Sequence, residues 1–192
     1  MKIEEANKVA DEVLDLYMRF GNEDYIGEPV SQIEHMTQAA QLAERENYDE
    51  EVVLAAFFHD IGHLCEHIME VEYMDDYGIV DHEKIGAIYL SGKGFSKRIT
   101  KLIASHVDAK RYLTYKNPAY YEKLSEASRK TLAFQGGKMS REEAAQFEND
   151  ELFTLYLTLR NWDEMAKEEN IPLPPLEHFR QLIIHHLIIQ KP

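Results

Sequence analysis

The run Val52 to Phe58 (VVLAAFF) is apolar on every side of a helical wheel and leads at once into His59-Asp60-Ile61-Gly62-His63. A helix that is hydrophobic all round has no face to give to water, so it belongs at the centre of a protein. It falls far short of the roughly 20 apolar residues that span a bilayer. Its burial must therefore come from neighbouring helices, and it carries a His-Asp pair into the middle of them. Asp49 can cap its start and Gly62 breaks it just after the pair.

The remaining chain supplies those neighbours. Ala6, Val9, Ala10, Val13, Leu14 and Tyr17 recur at three and four, which predicts a helix over residues 3–20. Gly21-Asn22 stops it, and the loop to Pro29 contains Tyr25-Ile26-Gly27-Glu28. Ser31 followed by Glu34 is a capping box for a second helix carrying Ile33, His35, Met36, Ala39 and Ala43. After an acidic connection over 66–80, Asp81 can cap a helix through Leu90, and Ser96 opens another ending near His106. Shorter helices are predicted over 109–115, 118–124 and 125–134, closed by Gln135-Gly136-Gly137. Ser140 and Glu143 form a second capping box. A long helix is predicted from Asn149 or Asp150 through Glu169, and a last one over 176–189 beyond Pro172, Pro174 and Pro175. No stretch alternates at period two, and neither repeats nor a low-complexity linker divide the chain. The expected fold class is all-α, with residues 1–192 forming a single domain around a core at about 31–165.

Asp and Glu number 35 against 21 Lys and Arg, a net charge of −14. Such a surplus repels phosphate backbones, so nucleic acid is not an expected partner. A small anion remains possible, because a pocket can be basic inside an acidic shell. No membrane helix is expected, and the first residues, MKIEEANKVADEVLDLYMRF, lack the layout of a secretory signal. The single cysteine, Cys65, excludes an internal disulfide, suits the cytoplasm and reads as a small buried hydrophobe.

Histidine is the informative residue, with nine in the chain. His35, His59, His82 and His106 fall at nearly even intervals, each on or at the end of a different predicted helix. A bundle that points one imidazole inward from each of several helices makes a nitrogen-rich pocket, and an adjacent carboxylate lets two cations share it. Any one of these histidines alone is more often a surface or hydrogen-bonded core residue; the joint pattern is what points to a metal. His178, His185 and His186 are expected to be structural or exposed, and His67 has no assigned place.

His59-Asp60-Ile61-Gly62-His63, with His35 upstream and His82, His106 and Asp163 downstream, resembles the HD-domain signature. The more specific motifs are Tyr25-Ile26-Gly27-Glu28, His106 with Lys110-Arg111-Tyr112-Leu113, Gln135-Gly136-Gly137 and Leu159-Arg160-Asn161-Trp162-Asp163. Together they resemble the mixed-valence di-iron oxygenases of the PhnZ and TmpB type, which cleave carbon–phosphorus bonds. That resemblance implies an Fe(II)/Fe(III) pair and O2 as co-substrate. One iron would be held by His35, His59 and Asp163, the other by His82 and His106, with Asp60 bridging. It implies that His63 contacts the substrate's anionic group. Lys110, four residues after His106, and Arg160, three before Asp163, would complete a clamp on the phosphonate, Arg160 as a bidentate fork, the alternative for each being a surface salt bridge. Tyr25 and Glu28 would form a lid, and Ser128 and Glu28 would meet the substrate's ammonium end.

The implied substrate is a 1-hydroxy-2-ammonioethylphosphonate. The tyrosines Tyr25, Tyr73, Tyr77, Tyr112, Tyr115, Tyr120 and Tyr121 favour the N-trimethylated form, which yields glycine betaine and phosphate, over the primary amine, which yields glycine. The rival expectation is an HD phosphohydrolase of a nucleotide or other phosphate ester, which would use the same metal ligands. No obligate protein partner is expected, and the chain would be a monomer or homodimer.

Overall fold

A computed structural model describes residues 1–25, 27–75 and 78–190. Its helices are α1 (Ile3–Phe20), α2 (Gln32–Arg45), α3 (Glu50–Phe58), α4 (Ile61–Leu64), α5 (His82–Gly92), α6 (Lys97–Lys116), α7 (Pro118–Lys123), α8 (Glu126–Phe134), α9 (Arg141–Glu148), α10 (Phe153–Met165) and α11 (Leu176–Ile189), with a 3-10 turn at Cys65–His67. Among the described residues there is no strand, only two isolated bridges, Asp24 to Ser31 and Tyr73 to Ile79. The chain is all-α. Ile26 and the Asp76 and Tyr77 of the acidic connection lie outside the described residues.

Residues 52–58 of α3 are all buried, and α2, α6, α10 and α11 pack around them. Fully burying each large apolar side chain contributes about 1.5–3 kcal/mol. The end of α3 leaves carbonyls without intrahelical partners. Two of them are taken by side chains: the Tyr17 hydroxyl donates to Phe57 O at 2.7 Å, and His59 Nδ1–H donates to Ala56 O at 2.8 Å. Helix α1 thus fastens the end of α3 just before the His-Asp pair, while α1 and α11 pack on each other at the outside.

Both capping boxes form, at Ser31 with Glu34 and at Ser140 with Glu143, and Asp49 caps α3. Other expectations are corrected. Residues 97–116 make one helix rather than a helix ending near His106 and a second over 109–115, because nothing between His106 and Ala109 breaks it. Asp150 does not open α10; its carboxylate accepts from Leu152 N–H in a local turn, and the helix starts at Phe153. It stops at Met165, not Glu169, because the following backbone is drawn toward α2. Asp81 precedes α5 but makes no cap; it has a left-handed φ of 56° and pairs with Lys84.

One close approach fixes the floor of the site. Gly62, at the start of α4, lies so near the start of α5 that a Cβ there would sit 1.9 Å from His82 O. Only glycine lets these two backbones meet.

Candidate metal centre

The four evenly spaced histidines, Asp60 and Asp163 converge, and all six are buried. His35 comes from α2, His59 and Asp60 from the turn after α3, His82 from the first residue of α5, His106 from α6 and Asp163 from α10. They form two groups on either side of Asp60. One carboxylate oxygen of Asp60 lies 3.4 and 3.5 Å from His35 and His59 Nε2; the other lies 3.2 and 3.3 Å from His82 and His106 Nε2. Asp163 faces only the first group, 3.4 Å from His35 and 3.9 Å from His59.

The imidazoles show what these groups are suited to hold. Each Nδ1 is turned to a backbone carbonyl: His35 to Ala166 O, His59 to Ala56 O, His106 to Ile103 O and, at 3.4 Å, His82 to Ile79 O. A carbonyl can only accept, so Nδ1 carries the proton, and a neutral ring then presents a bare lone pair at Nε2. The lone pairs are aimed at each other in pairs, His35 to His59 at 3.0 Å and His82 to His106 at 3.1 Å. Two bare nitrogens at that distance repel unless a cation or a proton lies between them. Two ligands about 2.1 Å from one ion and at right angles are themselves about 3.0 Å apart. Backbone carbonyls behind metal-facing imidazoles are also the usual support for ligand tautomers. The donor set therefore fits two cations that share Asp60. Its lack of thiolate and its nitrogen and carboxylate chemistry suit iron among other first-row metals.

Without a cation the charges redistribute. Burial would depress His35, but the Asp163 and Asp60 carboxylates outweigh it and raise that imidazole to about 9. Burial pushes His59 down to about 4. Against their burial, His59 and the neighbouring imidazoles hold the Asp60 carboxyl well below its ordinary range, and Arg160 does the same for Asp163.

A cavity beside the centre is lined by Tyr25, Glu28, His63, Lys110, Ser128 and Arg160, together with the faces of Asp60, His82, His106 and Asp163. Every other predicted site residue thus reaches the same cavity, with His35 and His59 behind it. Continuous α6 carries His106 and Lys110 one turn apart. Burial and the nearby Arg160 charge push the Lys110 ammonium down to about 7, and its Nζ donates to Thr131 Oγ1 at 3.0 Å.

Arg160 is largely committed within the protein. Its Nη1 donates to Asp163 and its Nε to Glu164 and to the Tyr120 hydroxyl, while Nη2 is buried and unpartnered. A fork through Nε is thereby taken, and Nη2 is the nitrogen held ready for an anion. His63 is not a ready cation either, since burial and the neighbouring His82 push it down to about 3. Its ring stacks on His82 at 4.2 Å, and Gly78, with φ at 90°, lets the backbone pass where a Cβ would sit 2.8 Å from His63 Cε1.

Tyr25 lies flat on the His35 ring, with centroids 3.9 Å apart, and burial among the Asp60 and Asp163 carboxylates raises its hydroxyl well above the ordinary value. Glu28 lines the cavity, but its carboxylate is not free there; it accepts from Lys167 Nζ at 2.6 Å. Lys167, which reaches the site through Glu28, was not expected there, and neither were Gln32, Thr131 and Gln135, which line the cavity. Gln135 stands in a quoted motif, but the other three carry no sequence signal, being brought in by tertiary packing. Of the predicted aromatic set, Tyr25 alone among the described residues lines the cavity. Tyr112 packs on Phe147 and Phe153, Tyr73 is exposed, and Tyr77 lies outside the described residues.

The HD domain model matches residues 33–144, more than half of the chain. The chain belongs to the HD-domain family. Within that family it is 47% identical over 91% of its length to an uncharacterized protein of Acanthamoeba polyphaga mimivirus, of which it covers 80%. It is 39% identical over 88% of its length to the [1-hydroxy-2-(trimethylamino)ethyl]phosphonate dioxygenase (glycine-betaine-forming) of Leisingera caerulea, covering 85% of that protein. It is 36% identical over 84% of its length to the hydroxymethylphosphonate dioxygenase of Gimesia maris, covering 80% of it. Two of these three relatives are named as phosphonate dioxygenases. Among the described residues, no helix is long and apolar enough to cross a membrane.

Proposed function

We propose that this HD protein is an O2-dependent oxygenase that cleaves the carbon–phosphorus bond of a small 1-hydroxyphosphonate. The observation that carries it is Asp60, whose two oxygens are each faced by a separate pair of imidazoles at the edge of a cavity holding Lys110 and Arg160 Nη2. His35, His59 and Asp163 would hold one iron and His82 and His106 the other, with Asp60 between them. When bound, the Fe(II)/Fe(III) pair and O2 would supply a four-electron oxidation whose electrons all come from the substrate, giving a carboxylic acid and phosphate.

The protein's own groups bind, orient and shield. Lys110 and Arg160 Nη2 take phosphonate oxygens as charge-assisted donors, and neutral His63 adds one hydrogen bond. Lys110, poised near 7, can take up or release the proton that accompanies phosphate departure. Tyr25, flat on His35, covers the first group of ligands until substrate enters, as a lid does.

Composition favoured the N-trimethylated substrate, and the relative from Leisingera caerulea is named for it. A quaternary ammonium needs a cage of aromatic faces. The described residues bring one tyrosine to the cavity, and that ring is spent on His35.

The deciding experiment incubates the iron-loaded protein with hydroxymethylphosphonate, 2-amino-1-hydroxyethylphosphonate and its N-trimethylated form, each with and without O2, and measures phosphate. Release that requires O2 is expected. Equal release under argon would overturn the oxygenase in favour of an HD phosphohydrolase.

A further inference from the structure

Among the described residues, three carboxylates line the cavity, and Asp60 and Asp163 face the imidazoles. Glu28 is the one left to meet a cationic substrate tail, and it is already occupied. Lys167 Nζ lies 2.6 Å from Glu28 Oε1, with the two side chains only 17% and 10% exposed. The same ammonium stands 5.8 Å from the centroid of the Tyr25 ring. Lys167 is itself held in place. The residue before it, Ala166, receives His35 Nδ1–H at 2.9 Å. The residue after it, Glu168, exchanges two hydrogen bonds with the Gln38 side chain, at 2.9 and 3.1 Å. Three consecutive residues beyond α10 are thus gripped by α2 and the loop before it.

We infer that Lys167 is a specificity-determining residue: by neutralising Glu28 it sets the cavity for a 1-hydroxyphosphonate whose remaining substituent is small and uncharged. This rests on the phosphonate chemistry proposed above and names the branch of it that this chain serves. A cationic tail would have to displace the Lys167 ammonium from a largely buried contact, with Lys110 and Arg160 already adding positive charge nearby. Unpaired Gln32 Oε1 and Gln135 Oε1 offer dipoles in place of a full negative charge. An uncharged substituent needs no such exchange.

The test isolates charge from size with two unreactive ligands of nearly equal shape, propylphosphonate and 2-aminoethylphosphonate. Their binding to the ferrous-loaded protein is measured by calorimetry under argon. The native chain should bind propylphosphonate at least tenfold more tightly. Lys167→Met, which frees Glu28, should shrink or reverse that ratio at least tenfold, while Lys167→Arg should keep it, which also guards against a variant that merely misfolds. Turnover in air should favour hydroxymethylphosphonate over both ammonium-bearing substrates. A native preference for the ammonium ligand, or a ratio unchanged in Lys167→Met, would overturn the inference. If the ratios behave as expected but no phosphate appears in air, the oxygenase chemistry fails while the charge selection stands. If neither ligand binds, the phosphonate premise falls and the inference with it.

Discussion

The two halves of the centre share Asp60 but are supported in different ways. His82 and His106 are each braced by the carbonyl three residues earlier in the chain, and so is His59. Their ring orientations are local properties, carried wherever the helix or turn goes. His35 is braced by Ala166, 131 residues away, and its face is covered by Tyr25. Asp163 is oriented by Arg160 three residues earlier on the same helix, and that arginine is tied in turn to Glu164 and to Tyr120, 40 residues away. One half is assembled from self-supporting pieces alone, whereas the other adds to them His35, whose brace forms only when the segment after α10 has docked on α2. The Tyr25 lid proposed above and the Glu28–Lys167 pair both lie on the side of His35. Function that depends on opening and closing is expected where support is long-range, because such contacts can be released without melting a helix.

The largest effect should come from the residue common to both halves. Asp60→Ala is expected to lower bound iron from two per chain to less than one and to cut phosphate release at least a thousandfold, read by metal analysis and initial rates. A variant that keeps one tightly bound iron would mean that the halves are independent.

Gln38→Ala separates them instead. It removes the two-point grip on Glu168 and should weaken metal affinity at the His35 half by about 10- to 100-fold, the usual cost of losing outer support. The His82 half should be unaffected in a competitive chelator titration. Equal weakening of both would erase the contrast drawn here.

The smallest effect is a pH dependence of the metal-free protein. His35 is raised to about 9 from an ordinary 6.5, so its proton stabilises the fold fully below about 6.5. That contribution is lost as pH rises through 9. Lys110, pushed down to about 7, acts in the opposite sense over the same range, so the His35 contribution is read as a difference. In chelator, the melting temperature of the native chain should fall relative to that of His35→Gln, on the order of 5 °C, as pH rises from 6.5 to 9. Bound metal should flatten the profile in the native chain.

What could be read from the residues divides along the same line. Helix starts at Ser31, Asp49, Ser96 and Ser140 obey local capping rules, and each side chain makes its bond. The apolar run 52–58 announced its own burial, and the six proposed ligands were named from spacing and motif. Lys167, Gln38 and Gln32 were not, because nothing local marks them. Their partners lie 139 and 130 residues away for Lys167 and Gln38, and Gln32 is simply the residue after a cap. The tyrosines show the opposite limit: composition counts rings without recording which way they face, and among the described residues only Tyr25 lines the cavity. Arg160 shows the same limit at finer scale, since its helical spacing to Asp163 was legible but the commitment of its Nε and Nη1 was not.

Gly62 bears on the distance between the two halves. Because its missing side chain lets α4 touch the backbone of His82, the separation of the two ligand groups is ruled by main chain against main chain, which neither rotamers nor ligand exchange can adjust. A single methyl group at residue 62 would act as a shim. It would push His82 outward while His35, His59 and Asp163 stayed in register, and leave a donor set fitted to one ion rather than two without altering any of its side chains.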